Sequence, residues 1–167
     1  MTIGPDSPER IDVRALLDEH LSDMFATSPA DSVHALDHTA LARADVAFLS
    51  CRDDGLLLGC GALTMLAIPP GAPDHEPEPE GEIKSMRTVA ASRGRGVASA
   101  LLVELIAEAQ RRGYRRVSLE TGTQDYFAPA RRLYERHGFV ECGPVGDYVL
   151  DGNSTFFTLQ LPLGDGD

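Results

Sequence analysis

The stretch Ser92-Arg-Gly-Arg-Gly-Val-Ala98 limits what this chain can fold into more than any other. Before it, Glu82 to Ala90 mixes β-branched and polar residues and reads as a strand partly facing a site. After it, a helical pattern starts at Val97, with apolar residues at Ala100, Leu101, Val103, Leu105, Ile106 and Ala109. Gly113 fits the position just past that helix, behind Arg111 and Arg112, whose charge suits the negative end of the dipole. Val117 to Thr121 is the next strand. Gly94 and Gly96 lack a Cβ, so the backbone there can reach positive φ and come close to a ligand. The first N–H groups of the helix have no intrahelical partner, and with the dipole they form a seat for an anion such as pyrophosphate. Arg93 and Arg95 add mobile positive charge. The turn therefore predicts a phosphate-bearing cofactor. The plainer alternative is a glycine-rich turn that binds nothing.

The rest of the composition narrows the partners. At 167 residues and 43% hydrophobic content the chain suits one domain, placed at 1–163, with a disordered tail at 164–167. A net charge of −11 argues against nucleic acid. Locally the sign reverses: from Lys84 to Arg116 there are eight basic residues against Glu104 and Glu108. A positive segment in an acidic protein suits a small polyanion, although Arg111 to Arg116 read better as a solvated helix end. The three cysteines, Cys51, Cys60 and Cys142, show no disulfide or Cys-x-x-Cys framework. No apolar run approaches a membrane span, and no signal-peptide pattern appears, so the expected location is cytoplasmic.

Along the chain, residues 1–6 read as a short edge strand or a frayed end. Ser7 and Pro8 look like the N-cap and first residue of a helix with an apolar stripe of Val13, Leu16, Leu17, Leu21, Met24 and Phe25, ending near Thr27. His34, Asp37 and His38 fall in a loop and short helix. They lack a fourth ligand at metal-site spacing, so no metal is expected; Asp37 reads as a cap, and a substrate-contacting loop is the alternative. Val46 to Cys51 and Leu56 to Leu66 form a hairpin around Asp53-Asp54-Gly55. Pro69 to Pro79, with His75, Glu76 and Glu78, reads as an exposed acidic loop. A helix follows from Phe127 to Gly138, capped by Gln124 or Asp125, then strands at Phe139–Val140 and Thr155–Leu161.

Two motifs carry a resemblance. Arg93-Gly-Arg-Gly-Val-Ala98 is similar to the Arg/Gln-x-x-Gly-x-Gly/Ala signature of the GNAT superfamily of acetyl-CoA-dependent N-acetyltransferases, and Leu133-Tyr134-Glu-Arg-His-Gly138-Phe139 is similar to its Leu-Tyr-x-x-x-Gly-Phe segment. The element order agrees over nearly the whole chain. Gly81 to Thr88 and Ser118 to Gly122 resemble the bacterial YsnE-type group. The resemblance implies an α/β (α+β) fold: a mixed, mostly antiparallel sheet with splayed central parallel strands and flanking helices. It implies an acetyl-CoA-dependent N-acetyltransferase acting directly on a primary amine of a small molecule; a carboxylate held by Lys84 and Arg87 would make that molecule amino-acid-like. Members often pair as homodimers.

The resemblance also implies roles. CoA lies on Arg93, Gly94, Arg95, Gly96, Val97 and Ala98, with its pantetheine arm along Met86, Arg87, Thr88 and Val89. A backbone N–H there holds the thioester oxygen. Tyr134 stands beside the leaving sulfur. A phenol near pKa ~10 passes its proton to a thiolate near ~8.5 only uphill, so hydrogen bonding comes first and transfer late. The base is Glu120 or Glu82, although each could simply pair with Lys84, Arg87 or Arg116. Lys84 and Arg87 could hold a substrate carboxylate, with His34 on the same substrate. Cys142 is a poor nucleophile candidate, having no evident histidine partner. Two other classes stay open: a dinucleotide oxidoreductase, weakened by Ser99 where a third glycine belongs, and a CoA-binding sensor without turnover on the same fold.

Overall fold

The computed structural model describes residues 1–69, 71 and 78–162. The expected tail at 164–167 and the centre of the acidic loop, with His75 and Glu76, lie outside the described residues. Strands β1 (Thr2–Pro5), β2 (Ala47–Asp53), β3 (Leu56–Met65), β4 (Glu80–Thr88), β5 (Arg116–Gly122), β6 (Val140–Cys142) and β7 (Ser154–Gln160) form one sheet in the order β1-β2-β3-β4-β5-β7-β6. Every neighbouring pair is antiparallel except β4 and β5. This is the mixed sheet expected from the sequence, and not the parallel doubly wound sheet of a dinucleotide-binding enzyme.

Helices cover both faces. Helix α3 (Val97–Arg111) buries Leu101, Leu102 and Leu105 completely against Leu49, Leu58, Leu63 and Val117. Fully burying a leucine contributes roughly 1.5–3 kcal/mol, so this helix is a main anchor of the sheet. Gly61 lets it sit close, since a Cβ there would meet the Leu105 side chain at 2.9 Å. On the other face, α1 (Ile11–Thr27) and the short α2 (His38–Leu41) pack Val13, Leu16, Leu17 and Leu41 on Phe48, Leu57 and Cys60. Helix α4 (Ala128–Arg136) adds Leu133 and Tyr134 to the larger core.

Most local expectations hold. Asp54 and Gly55 take positive φ (46° and 83°) in the hairpin turn, Asp37 caps α2 by accepting from Ala40 N–H at 2.8 Å, and Gly113 (φ 73°) ends α3. Two differ. Helix α1 starts at Ile11, not Pro8, because Ser7 closes a separate turn: its Oγ accepts from Glu9 N–H and its carbonyl from Arg10 N–H. Phe25 is 57% exposed, because the stripe rotates off the sheet after Met24.

The functional opening comes from β4 and β5. Their parallel pairing covers only Glu80↔Arg116, Gly81↔Val117 and Glu82↔Ser118. Beyond that point the strands diverge. Just there β4 bulges against β3: its register slips between Cys60↔Arg87 and Ala62↔Lys84, and Ser85 takes φ 55°. A bulge bends its strand and re-aims the side chains on it.

Candidate active site

Two cavities share the wedge between β4 and β5. The larger, about 570 Å³, is lined by Met86, Arg87, Thr88, Arg93, Gly94, Gly96, Val97, Ala98 and Tyr134. Gly94 (φ 75°) and Gly96 (φ 80°) turn the chain in the left-handed region, and Gly96 is the N-cap of α3. A side chain would be strained at both positions, although nothing lies within 4 Å of the place its Cβ would take. The open space beside bare main chain, the start of a helix and the Arg93 charge suit an anionic ligand. Two residues expected here sit elsewhere: the Arg95 guanidinium reaches Asp53 at 3.5 Å, and Val89 N–H donates to the Leu58 carbonyl at 2.9 Å.

Arg87 crosses the cavity wall to α1. It is 7% exposed and donates to Glu19, Asp23 and, at 3.0 Å, the Tyr126 hydroxyl, which itself donates to Asp23 at 3.0 Å. Burial works against its charge, but these hydrogen bonds outweigh it and raise its pKa; the same contact with Arg87 holds Asp23 below the usual carboxylate range. The residue expected to hold a substrate carboxylate is thus largely spent on fastening α1 to β4.

The smaller cavity, about 100 Å³, lies deeper in the wedge and is lined by His20, His34, Glu82, Lys84, Glu120, Tyr134 and Tyr148 among others. Glu82 and Lys84, two apart on β4, both turn inward. Lys84 Nζ donates to Glu82 Oε1 at 2.9 Å, to Tyr148 Oη at 2.6 Å and to the His34 carbonyl at 3.4 Å, and Tyr148 Oη donates to Glu82. The His34 ring stands edge-on to Tyr148, centroids 5.1 Å apart. Burial, then Glu82, pushes the Tyr148 pKa far up, so the phenol stays protonated.

Glu120, from β5, differs. Burial raises its pKa, and the Glu82 charge adds to the rise. The Ser154 hydroxyl is near enough to oppose this but makes no hydrogen bond, and His34 and Lys84 oppose it from a distance. No salt bridge reaches Glu120 among the described residues.

Tyr134 lines both cavities, together with His20, Met86, Phe127 and Ala130. Its ring packs on Phe139 and Phe157, 6% exposed, and burial, then the Glu120 charge, raises its pKa well above the ordinary phenol value. Burial, then Arg87, lowers His20 to about 4, so its ring is neutral at neutral pH. Cys142 lines a third cavity with Met65, Arg116 and Val145, and burial raises its thiol pKa, which disarms it as a nucleophile. Among the described residues no group of three or more His, Cys, Asp or Glu is placed to hold a metal, and no helix is long and apolar enough to cross a membrane.

Sequence reasoning placed Glu82, Lys84, Glu120, Tyr134 and His34 around one site, read His20 as bordering the core or a groove, where it lines both cavities, and missed Tyr148 and Tyr126. His20 carried a signal, a histidine bordering the apolar stripe of α1. Tyr148 carried none, because it reaches the site from a loop.

Comparison with known proteins bears on the family and the fold. The model of the acetyltransferase (GNAT) family matches residues 13–139. The uncharacterised N-acetyltransferase YsnE of Bacillus subtilis is 44% identical over 149 residues, covering 89% of this chain and 92% of its own. A solved candidate acyl-CoA N-acyltransferase of Klebsiella pneumoniae superposes with a TM-score of 0.72 at 25% identity, covering 96% of this chain and 97% of its own. A GNAT family acetyltransferase of Elizabethkingia anophelis, solved with acetyl-CoA bound, shares the fold at a TM-score of 0.62 and 16% identity, covering 96% and 97%.

Proposed function

Because the chain belongs to the GNAT family of acetyltransferases and is therefore an N-acetyltransferase, we propose that it moves the acetyl group of acetyl-CoA directly onto the primary amine of a small molecule, with the cofactor in the larger cavity and the amine in the smaller. The observation that carries this reading is the meeting of the two cavities at Tyr134. The Elizabethkingia neighbour binds acetyl-CoA on the same fold, and the glycine turn fits such a ligand on this chain's own geometry.

Acetyl-CoA supplies an activated thioester. Gly94, Gly96 and the first N–H groups of α3 receive the pyrophosphate, Arg93 neutralises it, and Met86 to Thr88 line the arm. Glu120 takes the proton that an aliphatic ammonium, pKa near ~10, must lose before its nitrogen can attack. A carboxylate raised by burial is a better base than an exposed one, while Glu82 is occupied by Lys84 and Tyr148. The amine nitrogen bonds to the carbonyl carbon, the carbon–sulfur bond breaks, the thiolate leaves, and the nitrogen sheds its second proton to solvent as the neutral amide forms. Tyr134, a phenol held protonated, hydrogen-bonds that sulfur as charge builds on it and yields its proton late, more reluctantly than an ordinary tyrosine.

Thiol release from acetyl-CoA, measured across a panel of primary amines, tests the reading. Amine-dependent release that saturates supports it. Saturable acetyl-CoA binding with no release for any amine would leave only a CoA-binding sensor.

A further inference from the structure

Among the described residues, Lys84 is the one lysine or arginine that lines the acceptor cavity. An ammonium has three N–H donors. Each of the three on Lys84 has an acceptor inside the protein: Glu82, Tyr148 and the His34 carbonyl. The Lys84–Glu82 pair is also neutral as a unit, with side chains only 13% and 7% exposed. Arg87, whose buried Nε has no partner, lines the cofactor cavity and not this one. What remains is Glu120, a carboxylate that no salt bridge reaches among the described residues. Such a site attracts a positive group and repels a negative one, and a substrate carboxylate entering it would lie among Glu82 and Glu120 with no donor of Lys84 left to receive it.

On the transferase reading above, we propose that the acceptor is a primary amine with no carboxylate beside the reacting nitrogen: an alkylamine or arylalkylamine, and not the corresponding α-amino acid. The apolar part of the lining, Met24, Ala35, Met86, Phe127 and Ala130, suits the hydrocarbon portion of such a molecule. Tyr148 then acts as a specificity residue, since its hydroxyl occupies one Lys84 donor and one Glu82 oxygen together.

Matched pairs test this: isoamylamine against leucine, and phenethylamine against phenylalanine. Each is titrated calorimetrically into the protein with and without CoA, and each is assayed for thiol release from acetyl-CoA. The amine of each pair should bind at least ~10-fold more tightly than its amino acid, the scale expected when like charges meet at a desolvated site. Binding of the amines without thiol release would support the acceptor assignment while removing the transferase reading. Equal or tighter binding of the amino acids, or no binding of either member of both pairs, overturns the assignment. Tyr148→Phe frees a Lys84 donor and should narrow the amine-to-amino-acid ratio by about 3-fold or more. An unchanged ratio in a folded Tyr148→Phe protein counts against the role given to this hydroxyl.

Discussion

The two cavities of the wedge are built in opposite ways. The larger has bare main chain at one end, around Gly94 and Gly96 at the start of α3, with side chains of β4 and α4 along the rest. The smaller uses side chains brought from α1, the loop around His34, β4, β5 and the loop that carries Tyr148. The first presents N–H groups and a guanidinium, the second two carboxylates, of which Glu82 is paired with Lys84 and Glu120 has no salt bridge among the described residues. A main-chain site depends on a few glycines and tolerates change elsewhere. A site of dispersed side chains depends on which charge neutralises which, so single substitutions should act on it very differently.

The contrast between Glu120 and Glu82 breaks that picture most readily. Glu120→Gln should lower kcat by roughly 10²- to 10⁴-fold, the usual reach of a general base, with little change in the KM for acetyl-CoA. In the unaltered protein, rates measured from about pH 5 to about pH 9 should rise as Glu120 loses its proton, on a limb above the ordinary carboxylate range, and Glu120→Gln should abolish that limb. A carboxyl raised by folding contributes stability below its unfolded pKa and loses it as pH rises through the folded value. Glu120→Gln should therefore melt no lower than the parent at alkaline pH. Glu82→Gln should act on stability instead, costing about 3 kcal/mol in denaturant titrations because it leaves Lys84 buried and unbalanced. Equal losses of kcat in both variants would erase the distinction between the carboxylates.

Tyr134→Phe tests the boundary between the cavities. It should reduce kcat by roughly 10- to 100-fold and move neither KM by more than about 3-fold, because the packing on Phe139 and Phe157 survives. The smallest effect belongs to His20. Its pKa falls from 6.5 to about 4 on folding, so its contribution is present above pH 6.5 and fades as pH drops towards 4. Allowing for the exposed part of the ring, His20→Gln should flatten the acid limb of a stability curve by about 1–2 kcal/mol, read from urea midpoints.

Legibility in the sequence follows the same division. The glycine turn, the hairpin at Asp54-Gly55 and the stop at Gly113 were readable because backbone conformation there demands particular residues. The order of strands and helices followed from periodicity. The start of α1 was misread because Ser7 and Pro8 form a turn whose chemistry matches a helix cap. In the smaller cavity, the i, i+2 spacing of Glu82 and Lys84 was visible, but not that Tyr148 closes the pair, since that contact spans 64 residues of chain. The bulge at Ser85 left no trace either: serine has no preference for positive φ, and tertiary packing imposes the angle.

The account rests on the turn at the start of α3 as the seat of acetyl-CoA. Gly96→Val puts a β-branched side chain where φ is 80°, with circular dichroism as the check on its fold. Calorimetric titration with acetyl-CoA should then give one saturable site in the parent protein and binding at least ~30-fold weaker in the variant, the factor expected when main-chain N–H groups lose their aim at an anion. Equal affinity in the two proteins would contradict the account, because acetyl-CoA would have to be held somewhere other than this turn.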